Sequence, residues 1–576
     1  MTDNTHYGPK TAVGQYVFGT KYAQQGETPR DVYGRVASAL CFGHEHYHKF
    51  RDLLASQKFL PGGRIMAGAG ASRAVTLYNC FVSGIISDSF VDGYGSIMDR
   101  AKEAAVTMRM GGGIGYDFST LRPRGSLIKK LGSTASGPVS FMEIFNAVCL
   151  ATCSAGHRRG AQMGVLRVDH PDIWEFIHAK TKPGALEGFN ISVAITDDFM
   201  QAVGRQADFP LHFQGDVYQT VKAAELWEAI MRAAWDWAEP GVVFIDKMNA
   251  DNNLHYCEEI TATNPCSEQP LPPHGACLLG SFNLTQYMKT NGVGQWHFDF
   301  AQFEQDIPVA VEALDRVVEA SQYPLSHQRE EAFDKRRMGI GVTGLANAIE
   351  AMQINRTGDY SYGSAGFLHV MHAILGSLSN GAYQASARLA QRLGSFPAFD
   401  KDQYLESKFL RRLSPETVET IKAHGIRNSH LISIAPTGTI SLCADNVSSG
   451  VEPTFAVETD ILAHMPDGEK RLRVRDYGVE NFGTDPKTSS QVTAREHIDV
   501  LACAQNYCDS AVSKTCNVDG TMAWEDFKDI YARAYRMGAK GCSVFNKDGK
   551  RMAALVEAPS EVAVEQRNCV TGTCDI

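Results

Sequence analysis

Along this chain, segments with the composition of β-strands alternate with segments whose apolar residues recur at helical spacing, and this alternation restricts the fold more than any other feature. Tyr78-Asn79-Cys80-Phe81-Val82, Phe189-Asn190-Ile191-Ser192-Val193-Ala194-Ile195 and Gly241-Val242-Val243-Phe244-Ile245-Asp246 read as strands by their β-branched and aromatic content. Residues 88–110 and 223–237 read as helices. Taken in order they predict an α/β architecture. Thr28 and Pro29 suit the cap and first turn of a helical lead-in over residues 29–57. Residues 60–70, rich in glycine, predict a loop beneath a ligand. Further strands are expected at 336–342 and 431–435, and the polar stretch 466–491, punctuated by Pro and Gly, is expected to be a surface insertion.

One stretch carries unusual chemistry. Asn264-Pro265-Cys266-Ser267-Glu268 places a thiol between an amide and a carboxylate, with proline stiffening the turn, and a second thiol, Cys277, follows just before a strand-like run. A cysteine is most often a small buried hydrophobe. Structural zinc pairs are spaced far more closely than Cys266 and Cys277, so no metal site is expected. The 14 cysteines are unevenly spread over 576 residues, which predicts free thiols in a reducing, cytoplasmic setting rather than a disulfide scaffold. A net charge of −10 argues against a nucleic-acid surface, and neither a signal peptide nor an apolar run of membrane-spanning length is visible. Any nucleotide must therefore be gripped locally.

Three further segments could do the gripping. Gly111-Gly112-Gly113 permits close backbone approach to a ligand. Pro436-Thr437-Gly438-Thr439-Ile440-Ser441, after an apolar run, can offer N–H groups and hydroxyls to a phosphate. Residues 155–164, with Arg158, Arg159 and Gln162, are small, basic and suited to a mobile connector between anionic ligands. Near the end, Cys569 and Cys574 follow a stretch poor in apolar residues, as a swinging dithiol would require.

These motifs, in this order, resemble the catalytic subunit of ribonucleotide reductase. NPCSEQPL followed by ACLLGSFNL is similar to its finger loop, and the NPC form is typical of the adenosylcobalamin-dependent class II enzymes. YDFSTLRPRGS resembles loop 1, residues 155–164 resemble loop 2, and APTGTIS resembles the substrate-phosphate loop. The resemblance implies a ten-stranded α/β barrel of two antiparallel five-stranded half-barrels around the finger loop, spanning 60–552. A helical segment without an ATP cone would precede it over 1–59, and a redox tail would follow over 553–576.

The resemblance also implies roles. Cys266 would carry a thiyl radical, Glu268 would take the 3′-hydroxyl proton, and Asn264 would hold the sugar hydroxyls. Cys80 and Cys277 would supply the electrons, Cys569 and Cys574 would regenerate them, and a thioredoxin-like reductant would reset the tail. Asn79, Gly113 and residues 436–441 would bind the ribonucleotide. Asp88, Ser89 and Arg122 would bind a deoxyribonucleotide or ATP specificity effector, and loop 2 would relay its identity. A homodimer is the usual assembly.

The radical source is expected to be adenosylcobalamin. Class I subunits receive the radical from a separate metal-containing subunit through paired tyrosines, whereas the corresponding Gly541-Cys542-Ser543-Val544-Phe545-Asn546 has no phenol. Class III enzymes need a glycyl-radical loop, which Arg536-Met537-Gly538-Ala539 does not supply. Ser267 stands where glycine is common in the NPC form. A compact class I subunit is the alternative, and a non-catalytic nucleotide-binding regulator a more remote one.

Overall fold

The computed structural model describes residues 7–550 apart from 74, 129–131, 155–157, 160, 466 and 467. The chain begins with helices at Ala12–Val17, Pro29–Leu40 and His44–Ala55. Thr28 and Asp31 form a reciprocal capping box around Pro29, so the second of these starts where the sequence places it. The single helical segment expected over 29–57 is broken at Gly43, whose φ of 117° suits only glycine.

Ten strands form the central sheet: β1 Phe59–Pro61, β2 Cys80–Val82, β3 Gly113–Asp117, β4 Gln162–Arg167, β5 Phe189–Ile195, β6 Gly241–Phe244, β7 Ala276–Asn283, β8 Met338–Thr343, β9 Thr515–Val518 and β10 Gly541–Asn546. Strands β2 to β6 run parallel in chain order. At one end β7 joins antiparallel to β2, and β8 lies parallel to β7; at the other, β10 joins antiparallel to β6, and β9 lies parallel to β10. A central block of five parallel strands is thus flanked, across two antiparallel seams, by two parallel pairs. The loop expected over 60–70 is instead the end of β1, captured by pairing with β7, followed by a helix at Gly63–Gly68. Residues 431–435, expected as a strand, pair through single bridges, Ile340 with Ile432 and Ile434 with Val512. The segment expected as an insertion contains one strand of a hairpin, Glu458–Met465 with Gly468–Arg475, and the helix Tyr477–Phe482.

Alternation along the strands sorts side chains onto two faces. Phe81, Val193, Val242 and Leu278 belong to a large core shared with the helices, among them Phe300–Ala320 and Ala365–Leu393. Their neighbours Cys80, Val82, Ala194, Val243, Cys277 and Leu279 belong to a second, smaller cluster. That inner cluster also holds Ala262 and Leu271, from the two short strands Ala262–Thr263 and Pro270–Leu271 that flank the NPCSE turn. Among the described residues no helix is long and apolar enough to cross a membrane.

The helical N-terminal part packs on the helix Phe300–Ala320, where the His46 ring meets the Val309 carbonyl at 3.0 Å, and it is also fastened near the 436–441 turn. The backbone N–H groups of Lys10 and Thr11 and the Thr11 hydroxyl all donate to Asp445 Oδ1, at 2.8, 2.7 and 2.9 Å. Gln57 Nε2 donates to the Cys443 carbonyl at 3.2 Å. Both acceptors lie at the end of the short helix Gly438–Cys443.

The turn can lie against β3 because that strand lacks side chains where it passes. A Cβ at Gly115 would stand 1.8 Å from the Thr263 carbonyl oxygen, and one at Gly113 would stand 3.1 Å from Pro265 Cγ. Gly115→Ala should therefore displace the loop, read as faster hydrogen exchange over residues 262–271 and a lower denaturation midpoint. Gly204→Ala, in a helix with nothing within 4 Å of the added carbon, should instead be neutral or stabilising by about 0.5–1 kcal/mol.

Candidate active site

Cys80 and Cys277 face each other as register partners across the antiparallel seam of β2 and β7, both fully buried. The NPCSE turn reaches over them. Asn264 Nδ2 donates to Cys80 Sγ at 3.2 Å, and Cys80 Sγ donates to Glu268 Oε1 at 3.8 Å. Glu268 is itself fully buried, and its Oε2 has no hydrogen-bond partner. Burial pushes its pKa up to about 7, moderated by hydrogen bonds from Asn264 and Cys80. Burial also raises the Cys80 thiol well above its ordinary value, with the neighbouring Glu268 and Cys277 adding to the effect. Cys277 is raised by burial too, but the largest charge acting on it, Arg337, works in the opposite direction.

The turn is held from several sides. Asn264 Oδ1 accepts from the Gln269 N–H at 2.9 Å, and the Asn264 carbonyl accepts from Ser267 at 3.1 Å. Ser267 has φ of +64°, the left-handed conformation that glycine adopts most cheaply. Asn190 Nδ2 donates to the Pro265 carbonyl at 3.0 Å, and Gln269 Nε2 donates to Ser433 Oγ at 2.7 Å. The Glu268 carbonyl accepts from Ala511 at 3.0 Å. Asn190, Gln269 and Ser433 were not marked by sequence reasoning as site residues. For Asn190 the signal was an isolated amide in an otherwise apolar strand.

Cys266 is partly exposed, unlike its two partners. It lines a pocket together with Asn190, Ser192, Pro436, Val544 and Phe545. The start of the 436–441 turn therefore shares a pocket with the central thiol. Thr437, in the left-handed conformation, opens the helix Gly438–Cys443, whose first N–H groups have by position no acceptor within the helix. The hydroxyls of Thr437 and Ser441 are 3.0 Å apart and both meet Thr343 Oγ1, while Gly450 N donates to Thr437 Oγ1 at 2.7 Å. Thr439 and Ile440 are buried in the same turn. Asn79 is buried with an unpartnered Oδ1, and its carbonyl accepts from Gly113 at 2.9 Å.

The expected effector residues form a group outside the residues lining the pocket. Arg122 Nε donates to Asp88 Oδ2 at 2.7 Å and Arg122 N to Asp88 Oδ1 at 3.1 Å, while Ser89 Oγ accepts from Asp92 N at 3.0 Å. Arg158–Arg159 pairs with Cys153–Ser154 as a short hairpin. Gln162, expected on a mobile connector, is anchored instead as the first residue of β4, accepting from Tyr116 Oη at 2.8 Å and donating to the Phe145 carbonyl at 3.2 Å. Cys569 and Cys574 lie outside the described residues. Among the described residues no group of three or more His, Cys, Asp and Glu side chains could hold a metal ion.

Two facing buried thiols, a third thiol on a pocket and a carboxyl poised near neutrality form an arrangement suited to redox chemistry. Residues 9–74 match the family model described as "Ribonucleotide reductase, all-alpha domain", and residues 79–459 and 480–545 match "Ribonucleotide reductase, barrel domain". The chain belongs to the ribonucleotide reductase family. It is 32% identical over 603 residues to the vitamin B12-dependent ribonucleoside-diphosphate reductase of Mycobacterium tuberculosis, covering 97% of this chain and 80% of that protein. It is likewise 32% identical to the protein of the same name from Thermoplasma acidophilum, over 90% of this chain and 67% of the relative. A ribonucleoside-diphosphate reductase subunit alpha from Chlamydia muridarum is 26% identical over 74% of this chain and 45% of its own length.

A buried carboxyl with a raised pKa keeps its proton in the folded chain at pH values where the unfolded chain has released it. Stability should therefore fall as pH rises from the ordinary glutamate range toward 7 and level off above it. Glu268→Gln should remove that part of the pH dependence, measured by denaturant unfolding at pH 5 and pH 8.5.

Proposed function

We propose that this chain reduces ribonucleoside diphosphates to 2′-deoxyribonucleotides, with Cys266 as the radical-bearing sulfur. The observation that carries this reading is the convergence of Cys266, Glu268, Asn264, Cys80 and the Pro436 turn on one loop and its pocket. Diphosphates are preferred because the two 32%-identical relatives are named for them. The substrate phosphates would rest on residues 436–441, with Asn79 and Gly113 beside the sugar.

A hydroxide is a poor leaving group, so the 3′-hydrogen is first removed as an atom by Cys266. Glu268 takes the 3′-hydroxyl proton while the 2′-hydroxyl departs as water, and a carboxyl titrating near 7 suits both directions of transfer. Asn264 orients the sugar hydroxyls. Cys80 and Cys277 give up two electrons and two protons and become a disulfide, one hydrogen completing the water and the other replacing the 2′-hydroxyl, and Cys266 returns its hydrogen to C3′. The tail pair Cys569 and Cys574 reopens the disulfide by thiolate attack, to be reset by a thioredoxin-like reductant. Residues 553–576 act as that tail.

The radical source is adenosylcobalamin. The pocket beside Cys266 offers donors suited to an adenosyl group, in Asn190, Ser192, Thr515 and Ser543, against the apolar Val544 and Phe545. When bound, the cofactor would supply the one-electron oxidant that the Cys266 thiol requires. No phenol stands at 541–546 to accept a radical from elsewhere, and the B12-dependent names of the relatives agree. Specificity effectors bind around Asp88, Ser89 and Arg122 in a homodimer, with residues 158–162 relaying their identity. Residues 60–552 form a ten-stranded barrel behind a helical segment over 1–59, a reading supported by the two antiparallel seams and by the bridges from β8 through Ile432 and Ile434 to Val512.

Purified protein should form deoxyribonucleotide only when adenosylcobalamin is added, without a second subunit. Cys266→Ser should abolish product while nucleotide binding persists. Turnover restored by a separate metal protein in place of the cofactor would favour the class I reading.

A further inference from the structure

Arg337 is the largest fully buried side chain among the described residues, and its charge acts on Cys277. Leu278 of β7 is in register with Met338 of β8, so one step back along the parallel strands brings Cys277 alongside Arg337. Leu278 and Met338 point into the outer core, and alternation turns Cys277 and Arg337 to the other face. The guanidinium uses Nη2 for both oxygens of Glu258, at 2.7 and 2.8 Å. Its Nε and Nη1 are buried with no hydrogen-bond partner. Lys335 and Glu331 complete the local charges, with Lys335 bridging Glu258 at 2.8 Å and Glu331 at 3.0 Å.

Two buried donor nitrogens without acceptors are costly, and a thiol is a weak acceptor whereas a thiolate is a strong one. Charge on the Cys277 sulfur would satisfy them. Cys80 has only the neutral Asn264 amide donating to its sulfur, at 3.2 Å, and its other near neighbour is the Glu268 carboxyl. We infer that Arg337 is a positioning residue that orders the pair, so that an incoming thiolate attacks Cys80 and Cys277 departs as the thiolate. The inference rests on the reading of Cys80 and Cys277 as the reductant pair.

The exchange balances without a further reagent. The attacking thiolate forms a bond to Cys80 sulfur, the Cys80–Cys277 bond breaks, and its electron pair stays on Cys277. The second thiol of the reductant, as thiolate, then closes a disulfide with the first and releases Cys80. Two protons reach the two sulfurs, so a dithiol and a disulfide have become a disulfide and a dithiol. A leaving sulfur that better bears negative charge leaves faster, which sets the direction.

The test uses the full-length holoenzyme, oxidised by a single turnover with substrate in the absence of reductant and then exposed to glutathione. Acid quenching, alkylation and peptide mass spectrometry locate the mixed disulfide. In the unaltered protein it should sit on Cys80, with Cys277 alkylated, in at least about tenfold excess over the reverse arrangement. Arg337→Gln should bring the ratio near one, and Arg337→Lys, which keeps a positive charge, should restore part of the preference. If Arg337→Gln does not fold because Glu258 loses its partner, the double variant Arg337→Gln, Glu258→Gln is read in the same way. A ratio near one or reversed in the unaltered protein, or an unchanged ratio in the charge-removing variants, overturns the inference alone. Turnover that leaves both cysteines as free thiols overturns the reductant assignment and the inference together.

Discussion

A loop can cross the face of a strand only where that strand gives up its side chains. Here the condition is met at Gly113 and Gly115, and the whole site depends on it. With β3 bare at those positions, the NPCSE turn settles onto the inner face, and Asn264 and Glu268 come within reach of Cys80. The turn also contributes Ala262 and Leu271 to the cluster that encloses both paired thiols. The chemistry is thus placed by backbone contact, and the polar groups have little freedom to drift.

Enclosure has an electrostatic effect of one sign on every acid in the cluster. Removing water penalises the charged form, so Glu268, Cys80 and Cys277 are all held toward neutrality. Local partners then separate them. Glu268 receives hydrogen bonds that bring it back near 7, Cys80 faces a carboxyl, and Cys277 faces a guanidinium. Cys266, in contact with the pocket, is the sulfur positioned to meet a ligand.

Much of this was legible in the sequence. The strand Phe189–Ile195 and the helix Ala223–Trp237 lie where apolar content and period put them, because each is governed by its own local pattern. The NPCSE turn was legible as a chemical unit, since its residues are contiguous. What escaped was fixed by contacts distant in sequence. Phe59–Pro61 became a strand through β7, and residues 431–435 pair by single bridges where a continuous ladder was expected. Gln162 reads as part of a polar, glycine-rich stretch, yet Tyr116 and Phe145 hold it in the sheet. Neither the opposition of Cys80 and Cys277 nor the approach of Arg337 could be read from spacing, because both follow from strand register.

The Asp445 carboxylate, gripping Lys10 and Thr11, lies two residues beyond the short helix that begins in the 436–441 turn. The first helices are thereby mechanical supports of that turn. Trimming them to obtain a smaller chain would unmoor that turn, and a ligand or protein pulling on them would be felt there without touching Cys266.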